Sequence, residues 1–206
     1  MAGPFVFLHG VARRTGLFST NRSSQMIFAI DPGPTHSAMV LFDECERKVV
    51  LSEAQATHET IIFMLQHDGI DNENLTVACE GLQCFGMPVG KETFETAYNI
   101  GELRYLCFDQ GIAFKMVFRS EVKNFLCHSA QAKDSNIRQA ILDRFPLIGG
   151  GKTPQIGNKS KLGLLYGVKK DMWSALALAI TWCEMQNKKV GDAFYQTGGA
   201  GHIKKE

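Results

Sequence analysis

Residues 26–43, MIFAIDPGPTHSAMVLFD, set an apolar run ending in one acid against a Pro-Gly turn and a second apolar run. Short apolar runs bounded by Gly and Pro predict strands buried in a sheet. The first strand is expected over 26–31 and the second in HSAMVLFD. KVVLSEA reads as a third strand, paired with the second as a hairpin through the polar turn at 43–47. LTVACE, ending in Glu80, and IAFKMVF are two further runs of the same kind, a fourth and a fifth strand. Between them the period changes. THETIIFMLQHDG carries apolar residues at helical spacing and stops at Gly69. KETFETAYNIGELRYLCFDQG is the longest helical pattern, with Phe94, Ala97, Tyr98, Gly101, Tyr105 and Phe108 recurring at helical spacing. EVKNFLC and DSNIRQAILDRF predict two helices parted by the small-residue turn HSAQAK, and a final helix is expected from about Asp171 to Gln186. Three strands in series, then alternating helices and strands, predict an α/β fold: a mixed five-stranded sheet flanked by helices. No internal repeat is visible.

Composition narrows the class. A chain of 206 residues with 45% hydrophobic and 21% charged residues is one globular domain with a real core, which excludes a disordered protein. The formal net charge of +1 carries no argument about nucleic acid, so the distribution of charge must. No apolar run is as long as a membrane span. The six cysteines form no CxxC pair, and Cys79 and Cys183 lie inside apolar runs. They read as reduced core thiols, which predicts a reducing compartment and a cytoplasmic protein. Residues 1–25 stand apart as a disordered N-terminal extension. Arg13, Arg14 and Arg22 accompany Ser19, Ser23 and Ser24, and no acid precedes Asp31. An extension upstream of a start at Met26 explains this segment, with organellar targeting as the alternative. The domain is expected over 26–187 and a C-terminal tail over 188–206.

The acids carry the chemistry. A buried carboxylate is costly unless a cation pairs with it. Asp31 ends the first strand, Glu80 ends the fourth, and Asp171 opens the last apolar helix. Three acids on three hydrophobic elements predict a metal site assembled by folding. From Arg144 to Lys170 the chain has six basic residues (Arg144, Lys152, Lys159, Lys161, Lys169, Lys170) and no acid. Its middle is rich in Gly, Pro, Ser and Asn, which predicts a mobile basic loop over about 146–168. Beside an acidic metal cluster, such a loop suits a polyanionic substrate. GGGKT at 149–153 is not a phosphate loop: the motif's first glycine is replaced by Pro146, and the run follows a helix instead of a strand. The strand-Asp-x-Gly pattern also occurs in actin-like ATPases, whose doubled fold this chain is too short to form. No nucleotide cofactor is expected.

Together IDPG at 30–33, the strand-terminal Glu80 and DMWSALALAI resemble the RuvC-type Holliday junction resolvases of the ribonuclease H-like superfamily. MPVGKETFETAYNIGEL, SAQAKDSNIRQAILDRF and LYGVKKDMWSALA look like the phage-encoded branch, so that the cytoplasm would be that of a host. The resemblance runs from Met26 to about Glu184. It implies a ribonuclease H-like fold and a crossover junction endonuclease acting in DNA recombination and repair. It assigns Asp31, Glu80 and Asp171 as catalytic ligands of two Mg²⁺ ions, with Mn²⁺ able to substitute, for hydrolysis without a covalent nucleophile. Where RuvC has Asp-x-x-Asp, this chain has Asp171 and Ser174, on one helix face. The fourth ligand is left open between water, Ser174 and Asp134. The resemblance places Lys123 and Lys133 near the scissile phosphate and Phe85 as an aromatic wedge in the loop GLQCFGMPVG. Lys152, Lys159 and Lys161 are DNA-binding candidates from the basic loop. Arg119 and Arg138 fit either phosphate contacts or helix salt bridges, and His36 and His128 are incidental. Branched DNA is the implied partner. Paired nicks imply a homodimer, for which the helix at 91–110 supplies either the interface or a face of the core. The alternatives are a weakly active or inactive junction-binding protein, and a nuclease for RNA–DNA hybrid.

Overall fold

A computed structural model describes residues 25–67, 72–84 and 86–197. The apolar runs become β1 (Met26–Asp31), β2 (His36–Asp43), β3 (Lys48–Thr57), β4 (Leu75–Gly81) and β5 (Ala113–Phe118). They form one sheet in the order β3-β2-β1-β4-β5. β1 is antiparallel to β2, β2 to β3, and β4 lies parallel to both β1 and β5. Only four residues join β1 to β2, and at Gly33 an added Cβ would lie 2.2 Å from the His36 carbonyl oxygen. That turn requires glycine. The parallel pairs need crossovers. The chain from β1 reaches β4 through β2, β3 and α1 (His58–His67), and β4 reaches β5 through α2 (Lys91–Asp109).

The sheet separates two cores. On one face Met26, Phe28, Ile30, Val77 and Cys79 pack against Ile61, Met64 and Leu65 of α1 and Ile100, Leu103 and Cys107 of α2. On the other, Ile27, Ala29, Val40, Phe42 and Ala78 meet α3 (Arg119–Cys127), α4 (Asp134–Leu142) and α5 (Met172–Thr197). Residues 175–180 of α5 are each at most 1% exposed. A helix apolar all round must be enclosed, and this one lies within the core shared with α3 and α4. Cys79, Cys107 and Cys183 are buried, and all six cysteines are free.

Three features differ from the sequence expectation. First, α5 continues to Thr197, past Gln186, because its polar continuation contains no proline. Second, the apolar stripe of α2, left open between interface and core, is not the face in the core. Thr96, Ile100, Leu103 and Cys107 face the sheet, while Phe94, Tyr98, Tyr105 and Phe108 are 51–82% exposed. Third, residues 146–168 are folded back on themselves where composition suggests an open loop. Gly149 N–H donates to Pro154 O (2.8 Å), Gly150 N–H to Lys161 O (2.9 Å) and Gly163 N–H to Ile156 O (2.9 Å). A Cβ at Gly163 would lie 2.2 Å from Gln155 O, so glycine here serves close packing. Buried Leu165 and Val168 anchor the segment in the core.

Candidate functional site at the carboxyl ends of the parallel strands

Strand alternation places Ile27, Ala29 and Asp31 on the α5 side of the sheet, and Ala78 and Glu80 likewise. The parallel register pairs Ile30 with Cys79, which sets Asp31 beside Glu80 at the carboxyl ends of β1 and β4. Ligands in open α/β sheets bind at such strand ends. The two carboxyls are hydrogen-bonded to each other. Burial, and next the charge of Asp31, push Glu80 up to about 7, above the 4.5 of an ordinary glutamate. Burial also raises Asp31, against the opposing pull of Arg119. The two acids therefore titrate as a pair that resists losing its last proton until near neutrality.

α5 brings the remaining groups. Ser174 is half-buried; its hydroxyl accepts from Arg119 and also favours the charged form of Asp31. Asp171 precedes the helix; its carbonyl accepts from Ser174 N–H (2.9 Å) and Ala175 N–H (3.4 Å). It is exposed, contrary to the expectation of a third buried acid, and acts on Asp31 through its charge. Asp171 lies outside the helix, where the helical burial pattern does not apply to it. Among the described residues, no group of three His, Cys, Asp or Glu side chains is placed to hold a metal ion. Two adjacent carboxylates and a hydroxyl are nonetheless hard oxygen donors, and their burial disfavours negative charge that a cation would neutralise. The residues at Asp31 and Glu80 thus fit a hard divalent cation, with Asp171 close enough to add charge.

Arg119 completes the cluster. It opens α3 directly after β5, whose register pairs Val117 with Glu80 and Phe118 with Gly81. Its Nη1 lies 3.8 Å from Glu80 Oε2 and 3.4 Å from Ser174 Oγ, and its Nη2 donates to Asp134 Oδ1. The sequence left Arg119 between a phosphate contact and a helix ion pair. The missing signal was its place just past a strand parallel to β4. Asp134 is largely exposed and engaged by this arginine, and its charge also acts on Glu80. Asn99 was also missed: from α2 its Nδ2 donates to Gly33 O and Pro34 O (both 3.3 Å), bracing the turn after Asp31.

The basic candidates divide into two groups. Lys123 stands one turn beyond Arg119 on α3, half-buried, and exposed Lys133 precedes Asp134 at the start of α4. Lys152, Lys159 and Lys161 are exposed on the folded segment before Leu164. Leu164 O accepts from Val49 N–H (3.1 Å). Val49 pairs with Phe42 and Phe42 with Ile27, four residues before Asp31 on β1. The anchor at Leu164 thus lies roughly 13 Å along the strands from Asp31. Arg138 stacks over the Trp173 ring at 4.9 Å. His36 and His128 are exposed, with the His36 ring bonded only to Thr35 Oγ1 (3.2 Å). Phe85 lies outside the described residues.

No family model matches the sequence, and no curated protein does. Solved structures do match. Thermus thermophilus RuvC in complex with Holliday junction substrate is 15% identical, with a TM-score of 0.51 over 76% of this chain and 92% of that one. Thermus thermophilus RuvC in another structure is 16% identical at the same TM-score and coverage. The yeast mitochondrial Holliday junction resolvase is 14% identical, at 0.46 over 88% of this chain and 93% of that one. The sheet order, the flanking helices and the agreement with the two RuvC structures make this a RuvC-like, ribonuclease H-like α/β fold.

Proposed function

We propose that the chain is a metal-dependent, structure-selective DNA endonuclease that resolves four-way (Holliday) junctions by phosphodiester hydrolysis. The observation that carries this reading is the Asp31–Glu80 pair at the carboxyl ends of β1 and β4, beneath the start of α5, in a RuvC-like fold. A RuvC of similar fold is known in complex with Holliday junction substrate, which supports branched DNA as the partner. Asp31 and Glu80 would hold Mg²⁺, which Mn²⁺ could replace, and Asp171 would be the acid available to a second ion. A divalent cation there supplies positive charge and Lewis-acid polarisation at a phosphodiester. The chain's own groups do the rest. Ser174 favours the charged form of Asp31, and Glu80 would have to be deprotonated to serve as a ligand. Lys123 and Lys133, near Arg119 and Asp134 in the chain, are the lysines proposed to meet the scissile phosphate, and Lys152, Lys159 and Lys161 those proposed to meet a DNA arm.

A homodimer is part of this reading. Phe94, Tyr98, Gly101, Tyr105 and Phe108 follow a strict three-four spacing on the outer face of α2, the repeat by which two helices pack. Nothing lies within 4 Å of a Cβ added at Gly101, which leaves room in the middle of the stripe for a partner helix.

The second reading, a junction-binding protein with little or no catalysis, draws on the neutral Ser174 and on the lack of a three-acid cluster among the described residues. Labelled four-way junction and matched linear duplex, each incubated with Mg²⁺ or Mn²⁺, separate the two. The nuclease reading expects paired nicks in the junction alone, lost in Asp31→Asn while junction binding stays equal or tightens. Tight binding without nicks in either metal would establish the second reading.

A further inference from the structure

The Arg119 guanidinium is spread between an exposed acid and a buried pair. Its outer nitrogen is held by Asp134, whose side chain is 80% exposed, and its inner nitrogen reaches Ser174 Oγ at 3.4 Å and Glu80 Oε2 at 3.8 Å. Glu80 is only 16% exposed. A charge-assisted hydrogen bond is shorter, about 2.7–2.9 Å. The inner contact is therefore one of charge more than of fixed geometry, while the Asp134 contact is the tether. Two carboxylates side by side in a buried site cannot both ionise without a cation nearby. Arg119 supplies part of that compensation, since its charge opposes the burial of both Asp31 and Glu80.

A divalent cation at the pair and a guanidinium about 4 Å from the same carboxylate repel each other strongly in a partly buried site. Both cannot keep that place. We infer that Arg119 is a built-in counter-ion of the Asp31–Glu80 pair, which a divalent cation must displace, so that this one residue opposes metal loading of the site. The inference rests on the reading that the pair binds a divalent cation. Displacement need not release the side chain, because Asp134 keeps the guanidinium at the rim of the pocket. Neutral Ser174 fits the same scheme: an acid there would pair with Arg119 and hold it in.

Isothermal titration of the full-length protein with Mn²⁺ at neutral pH, without DNA, tests this. Arg119→Gln should bind Mn²⁺ at least about tenfold more tightly than wild type, because a nearby like charge has been removed. The gain should vanish in Arg119→Gln combined with Asp31→Asn. Wild type that binds Mn²⁺, with Arg119→Gln equal or weaker, would overturn the counter-ion role and leave the metal reading standing. Absence of binding in both would overturn the two together. A gain that survives Asp31→Asn would place the ion elsewhere and likewise overturn the inference. Circular dichroism covers a folding defect. An Arg119→Gln protein that folds only with Mn²⁺ supports the role, since the ion then replaces the guanidinium. One that stays unfolded with Mn²⁺ overturns it.

Discussion

Two carboxyls within hydrogen-bonding reach titrate as a pair, and at the ends of β1 and β4 the consequence is a glutamate that keeps its proton near neutrality. With Glu80 raised from 4.5 to about 7, the folded protein binds a proton that the unfolded chain has released between those values. Stability of the metal-free protein therefore falls as pH rises from about 4.5 to 7 and levels off above. Asp31, also raised, adds to the fall with the same sign. Melting temperature measured across pH 4–8 in chelator should show this decline, and Glu80→Gln should flatten most of it. Mn²⁺ should raise the melting temperature more at pH 7.5 than at pH 5, because at low pH protons compete for the same oxygens. A melting profile equally steep in Glu80→Gln would place the titrating group elsewhere.

The helices carry distinct burdens that single substitutions separate. Leu176 lies near the start of α5 with no exposure, so Leu176→Ala should cost about 2–5 kcal/mol in denaturant unfolding. On α2 the outer stripe contributes little to the monomer. Tyr98→Ala with Tyr105→Ala should leave chemical stability at low protein concentration nearly unchanged yet shift the protein from dimer to monomer in sedimentation velocity. A dimer unaffected by that pair would move the interface off α2. The segment over 146–168 is held by its own backbone bonds and by Leu165 and Val168, not by its lysines. Replacing Lys152, Lys159 and Lys161 with Ala should then spare the melting temperature, weaken junction binding and flatten its salt dependence. An unchanged salt slope would remove these three from the DNA surface.

Across the whole molecule, the site depends on four separated parts of the chain being brought to one end of the sheet. β1 and β4 supply the acids, the start of α3 supplies Arg119, and the entry to α5 supplies Asp171 and Ser174. α2 also touches this region through Asn99, whose side chain holds the Gly33 and Pro34 carbonyls. The helix proposed to meet a second subunit therefore also braces the loop that follows Asp31.

Much of this was legible in the chain. Short apolar runs between Gly and Pro marked all five strands, and two acids at the ends of such runs marked Asp31 and Glu80, because a charge at a buried strand end is costly enough to stand out. Other features needed contacts between distant residues. Both stripes of α2 repeat at helical spacing, and only packing against the sheet chose Ile100, Leu103 and Cys107 over Tyr98 and Tyr105. Glycine-rich composition suits an open loop and a close-packed one equally; the approach of Gly163 to Gln155 O decided it. Asp171 stands just before its helix, beyond the reach of helical periodicity, and proved exposed. Arg119 acquired its place from the parallel pairing of β5 with β4. Local pattern determines which segments become strands and helices and which acids are anomalous, since burial and periodicity act over a few residues. Which side chains share a pocket is decided by strand register and helix packing, which join residues far apart in the chain.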